Sequence, residues 1–244
     1  MSPHNPCGRI WSFDEMKQLT DLLIKYKCQT FSDEIYSDWI EPVSEGENVL
    51  DTFTSIIRFE ELHPYLIYGN SYTKTWNCSG MAISYSMTFD PNLQAKLRTY
   101  HDLKMVGYPS AISYTLMETI YTSEEAKEWK LNTRKYIANN FTVFKELCAE
   151  KIPKLFIYDL ECSYLILVDF CEYGLKGKEL EDAFSSVDVC PTFTAEFFVE
   201  QKPRSLVRIN IACNIEVLKE VVNKMEKMIV EHEEKLKNEE SEDA

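Results

Sequence analysis

The sequence is poor in several of the residues that build sites. Glycine occurs seven times in 244 residues, so turns that need a positive φ must draw on Asn or Asp, accept strain or take another path. The four histidines (4, 63, 101 and 232) are dispersed with no HxxxH spacing, and the eight cysteines include no CxxC pair. A His/Cys metal centre is therefore not expected, and the cysteines read as reduced thiols of a cytoplasmic protein. The opening MSPHNPCGRI has neither the charged nor the apolar region of a secretory leader. No apolar run is long enough for a membrane-spanning helix, so no membrane association is expected. Positive charge is also in deficit, with 26 basic against 40 acidic residues and a formal net charge of −14, partly from Glu239, Glu240, Glu242 and Asp243. That balance argues against non-specific nucleic-acid binding.

What remains is an ordinary globular composition, 45% hydrophobic and 27% charged, with length for one large or two modest domains at about 150 residues each. Ser12 to Lys27 carries a capping box and then Met16, Leu19, Leu22, Leu23 and Tyr26 at helical spacing. Strand-like runs follow at Cys28 to Ser32, His63 to Tyr68 and Met81 to Phe89, and Asp90-Pro91 opens a helix to about Met105. Two more helices are predicted over 109–121 and 123–150, the second with Trp129, Tyr136, Ile137, Phe141 and Phe144 on one face. Beyond Pro153 the pattern becomes strands at 155–158, 164–170 and 205–212, a short helix near 179–184, and a closing helix from Asn214 that frays into the acidic tail. The reading is an α/β domain over 1–152 followed by a small α+β domain over 153–244.

Three strings carry chemistry: Ser2-Pro3-His4-Asn5-Pro6-Cys7-Gly8-Arg9, Asp33-Glu34-Ile35-Tyr36-Ser37-Asp38, and Ser71-Tyr72-Thr73-Lys74-Thr75-Trp76-Asn77-Cys78-Ser79-Gly80. Each alone is weak, since a lone Asp usually caps a turn and a lone Lys usually sits on the surface. In this order they resemble the fold-type-I enzymes of the class I/II aminotransferase superfamily, which use pyridoxal 5'-phosphate (PLP). The opening, the DEIxSD string and Val207-Arg208-Ile209-Asn210-Ile211-Ala212-Cys213 look most like the cystathionine β-lyase-like carbon-sulfur lyase branch. Tyr36 stands where many sequences of that branch carry His, nearer the aminotransferase norm.

The resemblance implies a role for each matched residue. Lys74 matches the lysine that holds the cofactor covalently and then serves as the base at the substrate Cα. Asp33 matches the carboxylate that keeps the pyridine nitrogen protonated, because an ionised neighbour raises that nitrogen's pKa. Asn5 and Tyr36 match the hydrogen-bond donors to the phenolic oxygen, Ser71 and Thr73 match phosphate ligands, and Arg208 matches the fork that grips the α-carboxylate. The implied activity is α,β-elimination from cystathionine or a cysteine S-conjugate to pyruvate, ammonia and a thiol, by a homodimer acting on small sulfur-containing amino acids. An aminotransferase uses the same groups, and a catalytically silent fragment is the third reading.

By comparison with the superfamily the chain looks N-terminally truncated. The expected missing block supplies the first half of the large-domain sheet, much of the phosphate cradle and the ring that stacks on the cofactor. The small domain also departs, with Cys190-Pro191-Thr192-Phe193-Thr194-Ala195-Glu196-Phe197 in place of an expected glycine-rich stretch.

Overall fold

A computed structural model describes residues 1–40, 53–105, 107–194 and 202–242. They divide into two compact units, the first of residues 1–5, 9–134 and 161–163, the second of residues 6–8 and 135–160 with the described residues from 164 onward.

In the first unit, α1 (Phe13–Lys25) opens on the predicted capping box. The Ser12 hydroxyl accepts the Glu15 N–H at 3.3 Å and the Glu15 carboxylate accepts the Ser12 N–H at 2.9 Å, satisfying two donors that the helix start leaves open. Met16, with Leu23 and Ile24, turns inward onto Ile56, Phe59, Leu62 and Leu66. Strands β1 (Thr30–Asp33) and β2 (Leu66–Asn70) pair in parallel, and β3 (Tyr85–Met87) pairs antiparallel with β2. The sheet order is β1-β2-β3, so β2 is central, and four of its five residues are buried. The helices are α2 (Tyr72–Thr75), α3 (Pro91–Lys104), α4 (Ala111–Thr122) and α5 (Glu124–Lys151), the last of which passes through the division between the units. Tyr72, Ile83 and Ile120 form a second buried cluster beneath α2 and α4.

Two predicted strands are shorter than their apolar runs. The residues from Glu60 to Tyr65 form 3-10 turns, because Pro64 has no N–H for a ladder, and β2 begins only at Leu66. Ser79–Met81 is also a 3-10 turn and Ala82 is left-handed, so β3 keeps only three residues of the run from Met81 to Phe89. On α5 the buried stripe is Ile137, Asn140, Phe144 and Cys148, while Trp129 and Tyr136 are exposed. The predicted aromatic face is thus rotated, because a polar Asn at the centre of the stripe carries no apolar signal.

In the second unit, β4 (Phe156–Ile157), β5 (Leu165–Asp169), β6 (Thr192–Phe193) and β7 (Leu206–Asn210) form an antiparallel sheet in the order β4-β5-β7-β6. The helices α6 (Gly177–Ser186) and α7 (Ile215–Glu242) complete it. Asn140 donates from Nδ2 to the carbonyls of Ile211 and Cys213, both at 2.9 Å, and so pins the chain leaving β7. The Cys190 to Phe197 string supplies β6, and its residues 195–197 lie outside the described residues. Instead of fraying, α7 continues to Glu242, helped by i,i+4 pairs such as Lys224 with Glu220 and Lys227 with Glu231. The compact units part inside α5, between residues 134 and 135, and the helix itself ends at Lys151.

Left-handed backbone falls to Asn77 (φ 51°) and Asp188 (φ 53°), as the shortage of glycine implies, and also to Lys27, Ala82, Met105 and Ser163. For the residues outside the Asn/Asp class this costs roughly 1–2 kcal/mol each. Among the described residues no helix is long and apolar enough to cross a membrane.

Candidate active site

The parallel pairing of β1 with β2 brings the carboxyl ends of both strands to one edge, with Asp33 opposite Gly69 in the register. In α/β sheets this is the edge at which ligands bind. Asp33 is held by a local turn, its Oδ1 accepting the Ile35 N–H at 3.0 Å, and its own carbonyl accepts the Ser2 N–H at 3.1 Å. The opening string and the Asp33 string thus meet in the first unit. A cavity of about 650 Å³ opens at this edge, lined by Asp33, Ile35, Gly69, Asn70 and Ser71 together with His101 and Tyr108.

Ser71 follows β2 and caps α2, its Oγ accepting the Thr73 N–H at 3.1 Å. The same Oγ lies 2.7 Å from Thr73 Oγ1 and donates to the Ile83 carbonyl at 2.5 Å. A hydroxyl has one proton, so Ser71 spends its own on Ile83, and Thr73 then donates to Ser71. Both residues expected to hold a phosphate are buried, with their protons engaged inside the protein.

Lys74 is half-buried on α2, and its Nζ donates to Ser79 Oγ at 3.2 Å rather than lining the Asp33 cavity. Three of the four carbonyls of this one-turn helix accept hydrogen bonds from beyond it. Tyr72 O accepts from Trp76 N–H, Thr73 O from Cys78 N–H, and Lys74 O from the Trp39 indole at 3.2 Å. Asn77 follows in the left-handed region, which turns the chain toward Ser79. Tyr36 is buried at 4% exposure, and its carbonyl accepts the Cys162 thiol at 3.2 Å. Arg208 belongs to the second unit, where its Nη2 donates to Thr192 Oγ1 at 3.0 Å across the β6–β7 pair. The structure therefore places Asp33 and Ser71 on one cavity and Lys74 one turn beyond it.

Sequence reasoning left Glu34 without a role. Its side chain is 1% exposed and accepts the Ile56 N–H at 2.9 Å, which ties the end of β1 to the core. Burial, only partly offset by the hydrogen bonds from Ile56 and Ser55, pushes its carboxyl up from 4.5 to about 7. The folded chain then keeps a proton that the unfolded chain releases above about 4.5, so this group's contribution to stability falls as pH rises to about 7. The fall amounts to roughly 3 kcal/mol. Glu34→Gln should remove it, so the difference in urea midpoint between variant and wild type should grow between pH 4.5 and 7 and then level off. A difference independent of pH would show that Glu34 is not protonated in the folded chain.

The sequence pattern of the aminotransferase class I and II family matches residues 1–225, a span that contains every candidate site residue placed above. The chain belongs to this family. Among curated relatives, cystathionine β-lyase PatB of Bacillus subtilis (strain 168) is 27% identical over 183 residues, 74% of this chain and 44% of PatB. The cystathionine β-lyase of Corynebacterium glutamicum is 25% identical over 224 residues, 90% of this chain and 55% of that protein. Among solved structures, a PLP-bound protein of Clostridium difficile 630 has a TM-score of 0.82 at 28% identity, covering 93% of this chain and 57% of that one. Cystalysin from Treponema denticola, which contains PLP, also has a TM-score of 0.82, at 24% identity, with 94% and 56% covered. These likenesses establish the α/β fold of class I and II aminotransferases that the three strings imply. The chain spans about half the length of the curated relatives it matches.

Proposed function

We propose that this chain carries the second half of a PLP-dependent carbon-sulfur β-lyase, residues 1–152 from the large cofactor-binding domain and 153–244 forming the small one. The observation that carries this reading is the pairing of Asp33 and the Lys74 turn at the carboxyl ends of adjacent parallel strands. Two relatives named cystathionine β-lyase favour elimination over transamination. The proposed substrate is a small sulfur-containing amino acid, and the proposed setting is a homodimer in the cytoplasm.

The residues present fit the cofactor's ring chemistry. A carboxylate fixed by a backbone N–H stands on a cavity wall beside the apolar Ile35, and a lysine follows on the helical turn after the next strand. Bound there, PLP would supply an electron sink for charge developing at the substrate Cα. Asp33 would hold a proton on the ring nitrogen, and Lys74 Nζ would take the amine-attachment role and move the Cα proton. Asn5 and Tyr36 are assigned to the phenolic oxygen, and the Arg208 guanidinium to the substrate α-carboxylate. Ser71 and Thr73 would reach the phosphate only after Ser71 turns its proton away from the Ile83 carbonyl.

Product analysis tests the reading. The 244-residue chain is supplied with PLP and cystathionine, alone and together with the N-terminal half of PatB. Pyruvate and free thiol in equal amounts are expected. Transfer of the amino group to an added oxo acid without thiol release would instead make the protein an aminotransferase. No turnover in either mixture would leave the catalytically silent reading in place of ours.

A further inference from the structure

The string that begins with Asp33 ends in Ser37-Asp38, which with the next residue, Trp39, forms a 3-10 turn to which the proposed chemistry assigns nothing. Both of its last residues reach the Lys74 turn. Asp38 Oδ2 accepts the Thr75 hydroxyl at 2.9 Å, and the Trp39 indole donates to the Lys74 carbonyl at 3.2 Å. Asp38 is itself braced by Lys130 of α5, whose Nζ lies 3.1 Å from Oδ1 and 5.5 Å from the centre of the Trp76 ring. Thr75 is fully buried and Trp39 is 4% exposed, so water does not compete for these bonds as it would at a surface.

We infer that Asp38 and Trp39 are positioning residues that fix the backbone of Lys74 relative to Asp33. The inference rests on the reading of Lys74 as the cofactor's amine. One short segment, 33–39, presents the ring-nitrogen partner at its start and grips the lysine turn at its end. Residues on both sides of Lys74 are also tied, Thr73 through Ser71 and Thr75 through Asp38. The backbone therefore cannot drift, and the freedom left to the residue is the swing of its four-carbon side chain away from Ser79. Such fixing favours reaction by holding the amine where the aldehyde arrives.

The test reads the chemistry of the lysine rather than turnover. The 244-residue chain is incubated with PLP and treated with borohydride, which fixes the amine-aldehyde condensation as a secondary amine. The adduct at Lys74 is then compared by peptide mapping with that at exposed Lys17. Wild type should favour Lys74, and Asp38→Ala and Thr75→Val should lower the ratio about tenfold or more. Thr75→Ser restores the hydroxyl and should restore the preference, which a volume effect would not do. Trp39→Phe removes one N–H and carries the test if Asp38→Ala does not fold by circular dichroism. Folded variants that keep the wild-type ratio would overturn the positioning role while leaving the reading of Lys74 intact. A wild-type chain with no preference for Lys74 would overturn that reading and this inference with it.

Discussion

Lys74→Ala is expected to end covalent capture of PLP at the site and to lower elimination by about 10²–10⁴-fold or more, the usual worth of a positioned general base. The half-buried ammonium already sits at the end of a rigid turn with a weak partner, the Ser79 hydroxyl, and that contact is easily exchanged. Among the described residues no other lysine shares α2 or the ends of the parallel strands. Mass mapping of the reduced adduct, with pyruvate release in the complete assembly, gives both readouts. Cofactor still bound covalently in the variant, or pyruvate formed at the wild-type rate, would remove Lys74 from the mechanism.

Asp33→Ala should harm the proton-transfer step far more than it harms retention of the cofactor. Without a carboxylate the ring nitrogen loses its proton and the electron sink weakens, a loss of several kcal/mol at about 1.4 per tenfold in rate. The Oδ1 bond to the Ile35 N–H also disappears, so Asp33→Asn is the better comparison because its side-chain oxygen preserves that turn. If Asn and Ala variants both turned over within a few-fold of wild type, the carboxylate would have no electronic role. If only the Ala variant failed, its role would be to shape the turn.

The order of elements around Asp33 and Lys74 was legible in the sequence because it is written in contiguous strings. The spacing from Asp33 to Lys74 contains one strand-sized run, and that run is β2, which carries the lysine to the neighbouring parallel strand end. Local rules also gave the helices well, since the Ser12 and Asp90 caps are visible as residue types and both make the bonds expected of them. What stayed hidden depends on contacts far apart in the chain. Nothing near Trp39 signals that its indole closes a carbonyl 35 residues later. The upward shift of the Glu34 carboxyl follows chiefly from its burial among core residues, which the string does not reveal. The strand β6 is only two residues long and gives no alternation to detect. The hydroxyls of Ser71 and Thr73 had the right types for a phosphate, yet sequence is silent on where each proton points.

The grip of the 37–39 turn on the Lys74 turn has a consequence for how such a chain can vary over time. Point changes at Ile35 or Ser37 leave the count of residues between the carboxylate and the clamp intact. Insertion or deletion of a single residue there displaces one end by about 3.3–3.6 Å relative to the other, more than a hydrogen bond can follow. This stretch is therefore a gauge whose length is its information, and lineages that keep the chemistry should show substitutions across it but no gaps.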